Sequence, residues 1–365
     1  MNILLLANHF NTGGISSYIL TLAKGLKKLG HNIYVASGSG ELVSALEQER
    51  FGYIRVPLKT KAELSINVLV SFFKLFPEIK KKNIQIIHAN TRVTQVLACL
   101  LSRFSGKPFV STCHGFFKKR LLRRIFPCWG VCVIAVSSQV KDHLVQDFNV
   151  PEDNIELIAN GIDIAKFSFQ LSTVNCQQKI KFGLGEGPVV GIVARLSEVK
   201  GHVYLIRAMQ RVVEKFPQAK LLIAGEGKIK TSLERLVQQL GIAKSVFFVP
   251  NVKDTRDVLS VMDIFVLSSL QEGLGLSLME AMCMGKAVIG SSVGGIKTLI
   301  CHGENGLLVA AADVSGLSAA IIRLLEDKRE RELLGVNARE FICANFSQSK
   351  MALQTERVYK ECVNS

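Results

Sequence analysis

Two carboxylates eight residues apart, Glu272 and Glu280, stand in the run EGLGLSLME, with glycines at 273 and 275 just behind the first. An apolar stretch of strand length, Ile264 to Leu267, precedes the run, and a helical pattern follows it. Glu272 then falls in the loop leaving a strand, and Glu280 on the helix that begins there. In a parallel α/β sheet this edge receives phosphorylated ligands, because the N–H groups of a helix N-terminus point at the anion. The amides of Gly273, Leu274, Gly275 and Leu276 are placed to meet one, and glycine lets a ligand come close to the backbone. The carboxylates suit sugar or ribose hydroxyls as hydrogen-bond acceptors. One surface Glu and one helix Glu on a solvated face fit the same spacing, so the pair alone leaves both readings open.

Three further loops carry chemistry-bearing residues, and each follows an apolar run. Asn11-Thr12-Gly13-Gly14 follows the first run; it is either a close-approach loop for a ligand or an ordinary turn, and it lacks the G-x-G-x-x-G dinucleotide fingerprint. His114 follows Phe109 to Cys113 and either faces a ligand, donating a hydrogen bond to a sugar hydroxyl or moving a proton, or caps a loop. Arg195 and Lys200 follow Val189 to Ala194 and precede Gly201. A planar fork and a compact charge five residues apart suit a diphosphate and would stabilise charge growing on a departing phosphate. A solvated loop in a basic protein is the alternative. Gly225 and Glu226, after Leu221 to Ala224, line the same kind of edge.

These loops need strands and helices to hold them, and the chain alternates the two twice over. Strand-length apolar runs are Ile3–Ala7, Ile33–Ala36, Tyr53–Pro57, Ile84–His88, Phe109–Cys113, Val131–Val136 and Ile155–Ala159, then Val189–Ala194, Leu221–Ala224, Val246–Val249, Ile264–Leu267, Ala287–Ile289 and Gly306–Val309. Helical periodicity fills the gaps, as in 16–29, 66–82, 203–216 and 229–240. Such alternation gives an α/β fold: two doubly wound parallel-sheet domains, with ligands expected where their loops meet in a cleft. The expected division is residues 1–166, a polar linker at 167–184, a second domain at 185–345, and a helix at 346–365 packing back on the first domain.

With 365 residues, 48% of them hydrophobic, the chain can bury two cores. No apolar run approaches the roughly 20 residues of a membrane span, and MNILLLANHF reads as a first strand rather than a signal peptide. Nine cysteines without a C-x-x-C pair fit reduced thiols in a cytosolic protein. The spacing of His114, Cys128 and Cys132 matches no zinc pattern, so no metal is expected. Net charge is +15, and between Glu78 and Asp142 twelve Lys and Arg occur with no Asp or Glu. That local surplus points to an anionic partner: lipid, nucleic acid or a phosphorylated substrate.

In order along nearly the whole chain run NTGG, TCHG, AVSSQVKDHL, IANGID, VARLSEVKG, LLIAGEG, EGLGLSLMEAM and SSVGG. Jointly they resemble the retaining glycosyltransferases of family 4, which have the GT-B fold of two facing Rossmann-like domains. The resemblance implies a nucleotide-sugar donor held mainly by the second domain. Arg195 and Lys200 would hold its diphosphate and Glu280 its ribose. Glu272 and the amides after it would hold the sugar, with Gly14 over the phosphates and His114 beside the sugar. It also implies transfer with retention, no metal and no other cofactor, the two cations neutralising the leaving diphosphate. Two departures stand out: Ile15-Ser16-Ser17 where many relatives carry an acidic residue, and Thr298 where they commonly carry Glu. The first bears on acceptor recognition; the second predicts a local loop change.

Directly after His114 comes FFKKRLLRRIFPCWG. As a helix its residues Leu121, Leu122, Ile125 and Trp129 form one apolar stripe flanked by Lys118, Lys119, Arg120, Arg123 and Arg124, with Phe116 and Phe117 at its start. That is the composition of an interfacial helix on anionic lipid, Trp129 at headgroup level; a basic helix packed on the sheet is the alternative. The expectation is a peripheral enzyme on the inner face of the cytoplasmic membrane, acting on a lipid-linked, lipopolysaccharide or polysaccharide acceptor. The competing functions are a nucleotide-sugar epimerase of the same plan and a non-catalytic basic binding protein. No nucleic-acid-binding signature supports the latter.

Overall fold

The computed structural model describes residues 1–60, 62–119, 123, 125–168 and 179–364. It divides into two compact units, Met1–Gly161 with Phe346–Ser365, and Ile162–Asn345.

The first unit is built on a parallel sheet of β1 (Asn2–Leu6), β2 (Asn32–Ser37), β3 (Gly52–Arg55), β4 (Ile86–Ala89), β5 (Phe109–Cys113), β6 (Cys132–Ala135) and β7 (Ile155–Leu157), in the order β3-β2-β1-β4-β5-β6-β7. The central strands are buried apart from Asn2, which is why β1 and β4 read as continuous apolar runs instead of alternating ones. The helix Gln348–Asn364 belongs to this unit and lies along the helix Gly14–Lys28. The two backbones come so close that a Cβ on Gly25 would stand 2.6 Å from the Cβ of Ala352. Polar ties fix the register: Gln348 donates to Thr21 O at 2.9 Å, and His31 Nε2 lies 3.0 Å from Glu356 Oε1. Deeper, Tyr359 Oη lies 2.5 Å from His88 Nδ1, whose Nε2 is 2.7 Å from Thr112 Oγ1.

The second unit carries β8 (Val189–Val193), β9 (Lys220–Ala224), β10 (Val246–Val249), β11 (Ile264–Leu267), β12 (Ala287–Ser291) and β13 (Leu307–Val309), all parallel, in the order β10-β9-β8-β11-β12-β13. Its core includes Val190, Ile192, Leu221, Ile223, Ile264, Val266 and Ile289, packed under helices that include His202–Lys215 and Val314–Glu326. Two α/β units with parallel sheets are the architecture the alternating runs predict.

Two boundaries differ from expectation. The units part between Gly161 and Ile162, not at 166, because Lys166 is tied into the second unit: its carbonyl accepts from Arg256 at 3.0 Å and its ammonium lies 3.7 Å from Asp254. The linker expected at 167–184 lies partly outside the described residues, at 169–178. Its C-terminal end is folded core: Leu184 is fully buried, and Lys179 lies 3.7 Å from Asp263. Polar composition conceals this, since a few apolar anchors suffice to dock a segment.

Candidate active site

In the second sheet β8 and β11 are hydrogen-bonded neighbours, although β9 and β10 lie between them in the chain. Right-handed crossovers from these two strands leave on opposite faces, opening a crevice at their C-terminal ends. The loops carrying Arg195, Lys200 and Glu272 leave from these two strands.

The two loops are bound to each other. Lys200 Nζ donates to Glu272 Oε2 at 2.5 Å, and Ser269 Oγ donates to the same oxygen at 3.1 Å. Ser268 Oγ donates to the Gly201 carbonyl at 3.1 Å. Gly201 adopts φ +64°, and a Cβ there would stand 1.9 Å from Ser268 O. A third loop, the one that follows β12, supports Glu272. Gly295 N–H donates to Glu272 O at 3.1 Å, and Gly294, at φ +45°, leaves only 1.9 Å between a hypothetical Cβ and that same oxygen. No side chain larger than hydrogen fits, so the SSVGG glycines shape the Glu272 loop. Thr298 sits in the short helix Ile296–Leu299 that follows, and its N–H donates to Gly295 O at 3.0 Å. The departure from the family pattern at 298 leaves the Gly294-Gly295 support for the Glu272 loop in place.

Gly225 and Glu226 lie against the β8 loop. The Glu226 carbonyl accepts from Leu196 N–H at 2.9 Å, and a Cβ on Gly225 would meet Ala194 O at 2.1 Å. Arg195 is exposed, and no described residue pairs with its guanidinium. The two cations therefore differ: Arg195 is at hand for an anion, whereas Lys200 must exchange Glu272 for one.

Glu280 lies on the helix Leu276–Cys283, which starts from Gly275 in the left-handed region with no side-chain cap. Burial raises its carboxyl to about 7, against a hydrogen bond with Thr255 and the charge of Lys166, which lower it. Side-chain oxygens of Ser65, Thr91, Ser137 and Asp313 cap other helices. The helices at the candidate loops begin on Gly13, Gly201 and Gly275 without one. Their first-turn amides remain available to an anion. Gly13 adds a point: a Cβ there would touch nothing within 4 Å, so packing within the protein does not demand glycine.

In the first unit, the sheet order reverses between β1 and β4. Gly13 and Gly14 follow β1; Asn90 follows β4; His114 follows β5. His114 Nε2 lies 3.3 Å from Asn90 Oδ1, and its ring stands edge-on to Tyr18 at 4.6 Å between centroids. Asn90 Nδ2 donates to the carbonyls of Leu6 and His88 at 3.2 and 3.4 Å, which fixes the amide with its oxygen toward His114. An oxygen accepts, so Nε2 carries the imidazole proton and Nδ1 the lone pair. Burial holds the imidazole neutral, its pKa down at about 3. With that proton directed at Asn90, Nδ1 offers an acceptor for a hydroxyl.

The basic segment also departs from expectation. Residues 120–122 and 124 lie outside the described residues, and with them Arg120, Arg124 and part of the stripe. Phe116 to Lys119 are not helical, whereas Arg123 and Ile125 are. Phe117 N–H donates to His143 Nε2 at 2.9 Å, and Lys119 pairs with Asp147 at 2.7 Å, which ties the segment to the helix Ser138–Phe148. Trp129 is 9% exposed and packs on Phe148; Arg123 is 6% exposed, its guanidinium 4.1 Å from the Phe117 ring centroid. Neither is available to a headgroup layer, because this aromatic cluster buries both. Lys118 remains exposed.

The profile for Glycosyltransferase Family 4 matches residues 12–166, and that for Glycosyl transferases group 1 matches residues 177–341. An uncharacterized glycosyltransferase of Methanocaldococcus jannaschii is 30% identical, with 95% of this chain and 94% of that protein covered. The chain belongs to the family 4 glycosyltransferases. The UDP-Gal:alpha-D-GlcNAc-diphosphoundecaprenol alpha-1,3-galactosyltransferase of Escherichia coli is 25% identical, covering 90% of this chain and 88% of its own. In fold the family member is similar to Anabaena HepE, crystallised with UDP and glucose, at a TM-score of 0.88 and 23% identity, covering 99% of this chain and 100% of that one. Among the described residues no helix of this glycosyltransferase is long and apolar enough to cross a membrane.

The sequence does not single out Asn90 or Thr255, since each acts through a contact with a residue more than twenty positions away, nor Ser269, which meets Glu272 within one loop. Gly294 and Gly295 are visible as a pair in SSVGG, but their support of Glu272 is not.

Proposed function

We propose that this glycosyltransferase moves a sugar, with retention and without a metal, from a nucleotide-sugar donor to a lipid-linked or polysaccharide acceptor at the cytoplasmic face of a membrane. The observation that carries the reading is the convergence of Arg195, Lys200 and Glu272 at the switch point of the second sheet, beside glycine-started helices.

In this reading Arg195 and Lys200 take the donor diphosphate together with the amides from Gly273 to Leu276. Lys200 trades its carboxylate partner for phosphate oxygens, which frees Glu272 to accept from hydroxyls of the sugar. Glu280 accepts from the ribose. The bond from the anomeric carbon to the diphosphate oxygen breaks, and the acceptor hydroxyl bonds to that carbon on the same face. The hydroxyl proton passes to the departing diphosphate, whose growing charge the two cations and the helix amides stabilise. His114 and the Gly13-Gly14 loop of the first unit are assigned to the sugar and phosphates by the family pattern. A nucleotide-sugar donor agrees with the UDP-Gal in the name of the Escherichia coli relative, and a lipid-linked acceptor with its diphosphoundecaprenol.

The test is a thermal-shift panel of nucleotide sugars with a chelator present, then NMR of the product's anomeric proton. A true donor at 100 times its Kd adds about 2.7 kcal/mol of stability. An inverted product, or transfer that needs added divalent metal, would overturn the stereochemical or the metal-free part of the reading.

A further inference from the structure

The helix Ile66–Lys81 shows an apolar face to solvent. Its inner side is conventional: Val68, Leu75 and Ile79 are buried in the core of the first unit. On the outer side Ile66 is 73% exposed, Leu69 53%, Phe73 72% and Phe76 40%, at the spacing of one helical stripe. Leu64, just before the helix, is 75% exposed.

The patch extends beyond one helix. Phe72 on its flank packs against Phe104 at 5.4 Å, and Phe104 is itself 62% exposed. Buried Arg92 joins the other end. It donates to Glu63 at 2.9 Å and to the carbonyls of Phe126 and Pro127 at 2.6 and 2.5 Å. That clamp holds Ile125 and Phe126, 58% and 61% exposed, to the chain entering the helix. A contiguous apolar surface of this kind marks an interaction site.

Charge decides the occupant. Lys74, Lys80, Lys81 and Arg103 are exposed on the same helices, and Lys118 on the neighbouring segment. The nearby carboxylates are neutralised: Glu63 by Arg92, and Glu78 by Lys82 at 3.2 Å. Lys81 also reaches Glu78, at 4.0 Å, but the exposed cations outnumber the carboxylates, and an aromatic and aliphatic stripe with such a border suits a surface that is apolar inside and anionic at its rim.

We propose that this face seats the protein on an anionic lipid bilayer. The stripe enters the boundary between headgroups and acyl chains, and the lysines lie among the phosphates. The proposal deepens the reading of a membrane-borne acceptor and rests on it for why a bilayer is there. It moves the main contact from the segment after His114 to the helix Ile66–Lys81.

The test is flotation of the full chain with phosphatidylcholine vesicles, with and without phosphatidylglycerol. Wild type is expected to float with the anionic vesicles, and the triple variant Ile66→Ser/Leu69→Ser/Phe73→Ser to float at least ~tenfold less. Equal flotation of the two proteins overturns the proposal. A second measurement guards against misfolding of the triple variant. The single native tryptophan is buried Trp129, so the added indole of F73W reports on the surface. Its quenching by brominated acyl chains is the expected result; no quenching overturns the proposal. A wild-type dimer in sedimentation, monomeric in the triple variant, with neither protein floating, would make the face a contact between copies and also overturn it. Donor binding is read separately by thermal shift without lipid. If no nucleotide sugar binds, the transfer reading fails whatever the flotation shows.

Discussion

Lys200 Nζ and Glu272 Oε2 stand 2.5 Å apart, joining the loop after β8 to the loop after β11 across the switch point of the second sheet. Both side chains are mostly shielded, at 23% and 12% exposure. The pair holds the two loops in one geometry, and in the proposed reading donor binding divides it.

Lys200→Ala and Glu272→Gln are therefore expected to lower kcat by about 10²-fold or more, the scale of removing one charge-stabilising group. The fold should survive, because Ser268 and the Gly294-Gly295 backbone still hold the loops. Initial rates and thermal melts of both variants check this. Near-wild-type rates would contradict the assigned roles.

Glu280 gives the pH dependence. Its carboxyl is raised to about 7, chiefly by burial, so the ionised form, which the proposed reading assigns to the ribose, predominates only above that pH. Donor affinity is expected to fall roughly tenfold from pH 8 to pH 6, and Glu280→Gln to flatten the profile. Stability runs the other way. A folded pKa above the unfolded 4.5 means the folded state holds its proton more tightly, so this group's contribution is full below 4.5 and is lost as pH rises through about 7. Calorimetric titration at several pH values and denaturant melts read the two effects.

His114, neutral with a pKa near 3, should not appear in the pH–rate profile between 5 and 8. His114→Ala is expected to lower transfer by about tenfold or more while leaving the shape of the profile unchanged, because the lost group is a hydrogen-bond acceptor. A wild-type limb that vanishes in this variant would show that the imidazole titrates.

Two glycines separate ligand approach from packing. Gly13→Ala meets nothing within 4 Å and should leave the melting temperature unchanged while donor affinity falls. Gly294→Ala would put a Cβ 1.9 Å from Glu272 O and should lower stability by about 1–3 kcal/mol as well as activity. Melting and donor titration of both variants check the contrast.

Much of the fold is legible because buried parallel strands are apolar runs with no alternation: β5 and β11 coincide with the runs Phe109–Cys113 and Ile264–Leu267. The loops are legible because strand ends locate them. What the sequence hides is tertiary. Trp129 and Arg123 look like members of a surface stripe, but Phe148, arriving from the helix Ser138–Phe148, closes over both together with Phe117. The tautomer of His114 depends on Asn90, which is itself fixed by the carbonyls of Leu6 and His88. The exposed stripe at 66–76 is hidden for the opposite reason: apolar periodicity gives the helix, but only the packing shows that both of its sides are apolar.

The central claim is that the loops after β8 and β11 bind the diphosphate of an activated sugar. Calorimetric titration of wild type, Arg195→Ala and Lys200→Ala with UDP-glucose, UDP-N-acetylglucosamine and GDP-mannose tests it most directly. The account predicts that at least one of these binds wild type and that its affinity falls by about tenfold or more in each variant. Undiminished binding in both variants, or no binding of any of the three to wild type, would contradict it.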